Sequence, residues 1–426
     1  MKQAVNTFST WYEATTDRGE MRMPLRGAVK ADVCVIGGGL AGLTTALELS
    51  RRKKKVVLLE AKQLAWGASG RNGGFVSNGF AEGIENVQKR VGLEAARALY
   101  SLSRHGTEYV RGEIAAGDPT LKMGEGWMVA LRHFDNGNFR SYRDMMQRDY
   151  GEDFQFLSPE QTREKLNSTR YFESKYDASA LHFHPLRYAL MLAGKAEKSG
   201  ASLHENSRAQ VVQKLGSAWR VRCAEGEVAA QHVVHCVSSL DRTIHKASGR
   251  VVLPVATYVA VTEPLTQGGV RTSAAVADTR RAGNYYRLID EGRLLWGGRI
   301  TTRVSEPARL AQEMKVDMLA TYPQLGNPRI DYSWAGLMGY ALHKMPLIGR
   351  DNEGQWFATA FGGHGMNTTA MAGQLLGRAI ADGDDEYWRF APFAPLWAGG
   401  QLGRVGVQAS YWWMQLRDRI DEARAR

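Results

Sequence analysis

The run DVCVIGGGLAGLTTALELSRRKKKVVLLE, residues 32–60, constrains the fold of this chain more than any other stretch. DVCVI is a short β-branched run suited to a buried parallel strand. Gly37, Gly39 and Gly42 follow at GxGxxG spacing, and Leu43, Ala46, Leu47 and Ser50 then recur at helical steps. VVLL makes a second strand, with Glu60 at its C-terminal end. Strand, glycine turn, helix and strand together form the βαβ unit of a Rossmann-type nucleotide fold. Gly37 permits the tight turn, Gly39 lets a pyrophosphate approach the backbone beside Leu40 and Ala41, and Gly42 allows the helix to pack closely. The helix N-terminus offers N–H groups and a positive dipole end to the phosphates. Glu60, with Ala61 beside it, is placed to accept hydrogen bonds from an adenosine ribose. Lys53 stands where such a helix commonly ends in glycine, which predicts a mildly strained left-handed cap.

A second glycine-rich stretch, WGASGRNGGF at residues 66–75, has little to bury. It follows Glu60 closely and so leaves the C-terminal edge of the sheet beside the ribose, where a dinucleotide continues towards its reactive ring. Its glycines let backbone N–H groups meet a cofactor at close range. The stretch reads as a cofactor wrap, with Ser69, Gly70, Arg71, Asn72, Gly73 and Gly74 against the ligand and Arg71 facing a phosphate or a reduced flavin's charge. Further on, FGGHGMNTTAMAG at 361–373 predicts a second helix N-terminus aimed at the cofactor. His364 is fixed in this turn, beside Gly363, Gly365 and Met366, with either a structural or a chemical part.

The 426 residues suffice for more than one domain. No window approaches the ~20 apolar residues of a membrane span, and the first twenty residues lack a signal peptide's apolar core. Three cysteines, Cys34, Cys223 and Cys236, give neither a disulfide framework nor metal-ligand spacing, and no metal is expected. The reading is a cytoplasmic protein. Its net charge of +11 is scattered, with RRKKK at 51–55 and arginines near the C-terminus, and forms no nucleic-acid module.

These motifs resemble the D-amino-acid-oxidase-type FAD oxidoreductases, nearest to the γ-glutamylputrescine oxidoreductase branch. The likeness is carried by STWYEATT, ADVCVIGGGLAGL, VVLLEA and GASGRNGG, and continues through LPVATYVAVTEPL, YYRL, GRLLWGGR, WAGLMGYALHKMPLIGR and FGGHGMNTTAMAG. It implies an α/β plus α+β fold, in which a discontinuous, glutathione-reductase-like FAD domain carries a second, antiparallel-sheet substrate domain. The expected division is 29–88, 184–250 and 331–390 for the FAD domain, 89–183 and 251–330 for the substrate domain, and 391–426 for a helical extension. EAARALYSLSRHGTEYVRGEI and MVALRHFDNGNFRSYRDMMQRDYG read as helical patterns of the substrate domain. YVAVTE, YYRLI and RLLWGG read as an antiparallel sheet, open on one face, that roofs the flavin.

The resemblance further implies that the backbone of Val211 or a neighbour meets the adenine, that Gly363, His364, Gly365 and Met366 line the pyrimidine side of the flavin, and that FAD is held without a covalent bond, since no cysteine follows Cys236. No lysine lies on the strand GRLLWGG, so the electron acceptor is left between oxygen and a quinone. Family members oxidise the C–N bond of an amine by moving a hydride to flavin, which needs alignment of a neutral amine more than a general base. Substrate contacts are expected from Tyr258, Tyr285, Tyr286, Arg287, Trp334, Tyr340 and His343. Arg287 either grips a carboxylate or forms a surface salt bridge, and His184 reads as structural. Three functions stay open: an amine oxidoreductase for a γ-glutamylated polyamine, a dehydrogenase or oxidase for a secondary amino acid such as L-pipecolate or sarcosine, and a non-enzymatic FAD-binding assembly module.

In the tail, Leu402, Val405, Ala409, Trp412, Leu416 and Ile420 mark one helical face. That face either packs on the body or makes a peripheral contact at the inner membrane surface or with another subunit.

Overall fold

The computed structural model describes residues 10–133, 137–266, 269–280 and 283–425. The chain lays down β1 (Gly27–Ile36) and β2 (Val56–Leu59) in one sheet. It then crosses for β3 (Phe75–Val76), β4 (Lys122–Ala130), β5 (Gln155–Leu157) and β6 (Ser174–Phe183) in a second. It returns for β7 (Ser202–His204), β8 (Val211–Leu215), β9 (Ala218–Arg222) and β10 (Gly226–His235). A second crossing gives β11 (Leu253–Thr262), β12 (Ala275–Asp278), β13 (Tyr285–Ile289), β14 (Arg293–Thr301) and β15 (Ile330–Tyr340), before β16 (Leu347–Arg350) and β17 (Trp356–Thr359) close the first sheet.

The first sheet runs β16-β17-β10-β1-β2-β7, with β1 parallel to both β10 and β2. Val33, Cys34, Val35, Leu58 and Leu59 are all buried: Val33, Val35 and Leu58 face the helices in one core, and Cys34 and Leu59 pack against Trp219 and Val221 of β9 in another. Helix α1 (Leu40–Arg51) follows β1 directly, α2 (Leu93–Gly117) and α3 (Pro185–Lys198) lie beside it, and all enter one apolar core. The strained cap expected at the end of α1 is present: Lys53 has φ 62°, and the Lys54 N–H donates back to the Leu49 carbonyl at 3.1 Å. The fold class is the expected one, a Rossmann-type sheet carrying a second, largely antiparallel sheet.

Several local expectations need correction. Met128 to Ala130 belong to strand β4, and the helix begins only at Asn138–Tyr150. A short apolar run carries too little periodicity to separate the two states. Helix α2, assigned with the substrate domain, packs on α5 (Gly365–Asp382) closely enough that a Cβ on Gly106 would lie 2.3 Å from the Asn367 carbonyl. β15, assigned with the cofactor domain, instead pairs along its length with β11 in the second sheet. Nor is that sheet open on one face. β11 is buried at every position, because α4 (Leu310–Thr321) covers the outer side and packs Met314 and Met318 among Tyr258, Tyr286 and Trp296.

Candidate cofactor and substrate site

The C-terminal edge of β1 and β2 meets the inner face of the second sheet at a cavity of about 740 Å³. Gly37 begins its wall with φ 110°, and a Cβ there would lie 2.7 Å from the Cys236 carbonyl. Gly39 caps α1 in an extended conformation, and Ser69 Oγ accepts a hydrogen bond from the Leu40 N–H at 2.9 Å. Gly42 does not line the cavity. Its Cβ would lie 1.9 Å from the Gly37 carbonyl, so it serves the close helix packing expected of the third motif glycine.

Glu60 lies at the far side of this turn. Its carboxylate accepts from the Gly38 N–H at 2.7 Å and the Lys62 N–H at 2.9 Å, and burial raises its pKa. Glu60 therefore braces the glycine turn and, with Ala61, lines the cavity. The chain expected to meet the adenine near Val211 reaches the cavity two residues earlier, through Arg208 and Ala209. Val211 itself, on β8, pairs with Arg222 of β9 and does not line the cavity.

The loop at 66–75 folds over this cradle. Asn72 Nδ2 donates to the Ala68 and Ser69 carbonyls at 3.0 and 2.9 Å, and its Oδ1 accepts from the Gly74 N–H at 2.7 Å. Arg71 donates from Nε to the Trp66 carbonyl at 3.1 Å and lies in the cavity wall, where desolvation lowers its pKa. A desolvated cation in a cavity wall is suited to an anionic ligand. Gly73 faces the cavity, whereas Gly70 and Gly74 press backbone on backbone: a Cβ would meet the Ala65 carbonyl at 2.4 Å and the Phe183 carbonyl at 2.2 Å.

Opposite the wrap, residues 361–366 turn tightly into α5. Gly362 has φ 61°, and Gly363, His364, Gly365 and Met366 all line the cavity. His364 Nε2 donates to the Ser77 carbonyl at 3.1 Å, and burial lowers its pKa. A neutral, anchored imidazole is the result.

The second sheet provides the remaining wall and sorts the expected substrate residues by strand parity. Thr257 and Tyr285 face inward, while their neighbours Tyr258 and Tyr286 face the outer core. The Tyr258 hydroxyl donates to the Ser305 carbonyl at 2.9 Å, and the Tyr286 hydroxyl donates to Tyr171 at 2.9 Å. The Tyr285 ring meets Phe75 edge-on at 5.5 Å and covers Gly73, and burial pushes its phenol up to about 12. Tyr340 also lines the cavity, beside Gly362 and Gly363.

Three expected contacts lie behind the wall. Arg287 is fully buried, and donates to His182 Nδ1 and the Phe183 carbonyl at 2.9 Å each and to the Tyr12 hydroxyl at 3.3 Å. Trp334 donates its indole N–H to the Arg71 carbonyl at 2.9 Å. His343 Nδ1 accepts from the Met345 N–H at 3.1 Å, and its ring packs on Phe393. His184 is structural as expected: it caps α3 by accepting from the Arg187 N–H at 3.3 Å.

Trp127, Asp278, Arg280 and Asn284 complete the wall and were not singled out in the sequence. Asp278 is buried, which raises its pKa, and it accepts from the Asn284 backbone N–H at 3.0 Å. The DTRR run containing Asp278 and Arg280 was a polar break beside a predicted strand, a signal available but too common to select on.

The cradle fits FAD: glycines where a Cβ would obstruct, two helix N-termini and a desolvated arginine all converge on one cavity. Comparison with known proteins agrees. A family model described as "FAD dependent oxidoreductase" (DAO) matches residues 32–379. The chain is 31% identical to the γ-glutamylputrescine oxidoreductase of Escherichia coli (strain K12), over 97% of this chain and 98% of that protein. It is 33% identical to a probable oxidoreductase, OrdL, of Haemophilus influenzae, over 85% of each. Among solved structures, the L-proline dehydrogenase from P. horikoshii superposes with a TM-score of 0.73 at 19% identity, over 86% of this chain and 96% of that one. The glycine oxidase of Bacillus cereus gives 0.71 at 20%, over 85% and 98%. Membership of an oxidoreductase family sets aside the assembly-module alternative. This chain belongs to the DAO family of FAD-dependent oxidoreductases.

Proposed function

We propose that the protein oxidises the C–N bond of an amine, with a γ-glutamylated polyamine such as γ-glutamylputrescine as substrate and non-covalent FAD as cofactor. One observation carries the reading: a single cavity joins the glycine cradle to a polar second-sheet wall bearing Asp278, Arg280 and Asn284. The near full-length likeness to a γ-glutamylputrescine oxidoreductase supports the same substrate class. Gly37, Gly39, Ser69 and Arg71 would hold the phosphates, Glu60 the ribose, and Gly363 to Met366 the ring end. Bound there, FAD supplies the acceptor for a hydride from the carbon beside the amine nitrogen. Tyr285 and Thr257 align that carbon and keep water from it, and the buried Asp278 carboxylate attracts the cationic part of the substrate.

A secondary amino acid such as L-pipecolate or sarcosine is the other reading. It loses its expected carboxylate clamp because Arg287 is committed to His182 and Phe183. The acceptor is oxygen or a membrane quinone; the quinone branch brings with it a peripheral membrane contact of an otherwise cytoplasmic protein. The test is anaerobic mixing of the purified yellow protein with γ-glutamylputrescine. Bleaching of the flavin supports the proposal, and admitting air then distinguishes oxygen from other acceptors. Bleaching with L-pipecolate or sarcosine alone would replace the first reading by the second.

A further inference from the structure

The C-terminal helix α6 (Gly400–Arg424) is amphipathic in the reverse of the usual sense. Its polar side faces the body. Gln408 Oε1 accepts from the Thr301 hydroxyl at 2.7 Å and the Thr302 N–H at 2.9 Å. Glu422 lies between Arg280, at 2.5 Å, and Arg132, at 3.3 Å. Burial alone would raise the Glu422 pKa, yet the two guanidinium groups hold it down to about 2. The apolar side faces outward: Leu402 is 82% exposed, Val405 68%, Trp413 60% and Trp412 55%, and the stripe continues through Leu416 and Ile420. From Leu402 to Ile420 it runs about 27 Å along the helix.

We propose that this stripe seats the protein on an anionic lipid surface, with α6 lying in the interfacial plane. Charge selects the occupant. Arg417, Arg419 and Arg424 are exposed along the stripe, while Asp418 is buried and Glu422 is paired inward. Just before α6, Trp397 is 69% exposed over a shallow depression lined by the exposed Arg242, Lys246 and Arg250. Tryptophan set among arginine and lysine matches the boundary between acyl chains and acidic headgroups. A second copy docked through the same stripe would bring arginines against arginines on a chain of net charge +11. No described helix is long and apolar enough to cross a membrane, so the contact is peripheral. No α6 residue lines the cavity, although Glu422 holds the wall residue Arg280 from behind, so the variants below are taken from the outward side of the helix.

The test is co-sedimentation of the FAD-loaded full-length protein with phosphatidylglycerol-containing vesicles and, separately, with pure phosphatidylcholine vesicles. Binding is expected on the anionic vesicles only, and it should weaken as salt is raised. Trp412→Ser with Trp413→Ser should lower partitioning about tenfold or more. Arg417→Gln and Arg419→Gln should each lower it about fivefold. Flavin content and turnover in solution should stay unchanged in every variant. Failure to bind any vesicle overturns the proposal, as does equal binding to both kinds. So does a dimer in sedimentation velocity that dissolves in the double tryptophan variant, which would make a second copy the occupant.

Discussion

The indole N–H of Trp334, on the second sheet, donates to the carbonyl of Arg71, in the loop that leaves the first. One hydrogen bond thus ties the glycine-rich wrap, whose Arg71 side chain lines the cavity, to the opposite wall. Trp334→Phe keeps the ring and removes the tie. A net loss of about 1 kcal/mol is expected. Titration of the apoprotein with FAD should show about fivefold weaker binding, with the thermal midpoint of the apoprotein little changed.

Arg287 holds structure together. Arg287→Met leaves His182 Nδ1 and the Phe183 carbonyl without their donor, at a cost of about 2–4 kcal/mol. Denaturant unfolding should register that loss while the KM of the surviving holoenzyme for its amine stays within twofold. A KM raised more than tenfold at unchanged stability would return Arg287 to the substrate site.

Three buried histidines make the protein sensitive to acid. Burial, reinforced by Arg287 for His182, by Arg187 and then Arg287 for His184, and by His245 for His235, lowers each to about 3. Each is neutral when folded and takes up a proton on unfolding below about 6.5, so stability falls as pH drops from about 6.5 towards 3. The slope is at most about 1.4 kcal/mol per pH unit for each histidine. Glu60 and Asp278, whose carboxyls are raised by burial, oppose it at the acid end. Urea midpoints at pH 7.0 and about 5.5 should differ clearly, and His235→Gln should flatten the difference even though it lowers stability at neutral pH.

Lys53 pays a conformational cost that glycine would not. With φ at 62° it occupies the left-handed cap of α1, and Lys53→Gly should raise stability by about 0.5–1 kcal/mol. A lower thermal midpoint in that variant would mean that the lysine side chain contributes more than the backbone strain removes.

The nucleotide-binding half was legible because its chemistry is local. Glycine spacing, β-branched runs and a terminal acid all fall within thirty residues, and Gly37, Gly39, Glu60, Ser69, Arg71, Asn72 and Gly73 line one cavity, whereas Gly70 and Gly74 of the same loop do not. The substrate wall was harder. YVAV on β11 has no polar alternation, because α4 buries its outer face, so nothing marked Thr257 rather than Tyr258 as inward. In YYRL, Arg287 read as either a carboxylate grip or a surface salt bridge, and it is neither; its partners His182, Phe183 and Tyr12 lie more than a hundred residues away in the chain. For α6, the period marked the apolar stripe correctly, but a period cannot say which side faces the body.

The chain passes between its two sheets four times, so no single cut releases either one intact. Such a protein has no detachable recognition cassette for recombination to exchange. On this topology the second-sheet wall can be varied position by position but not exchanged as a block, and the cradle opposite stays with it.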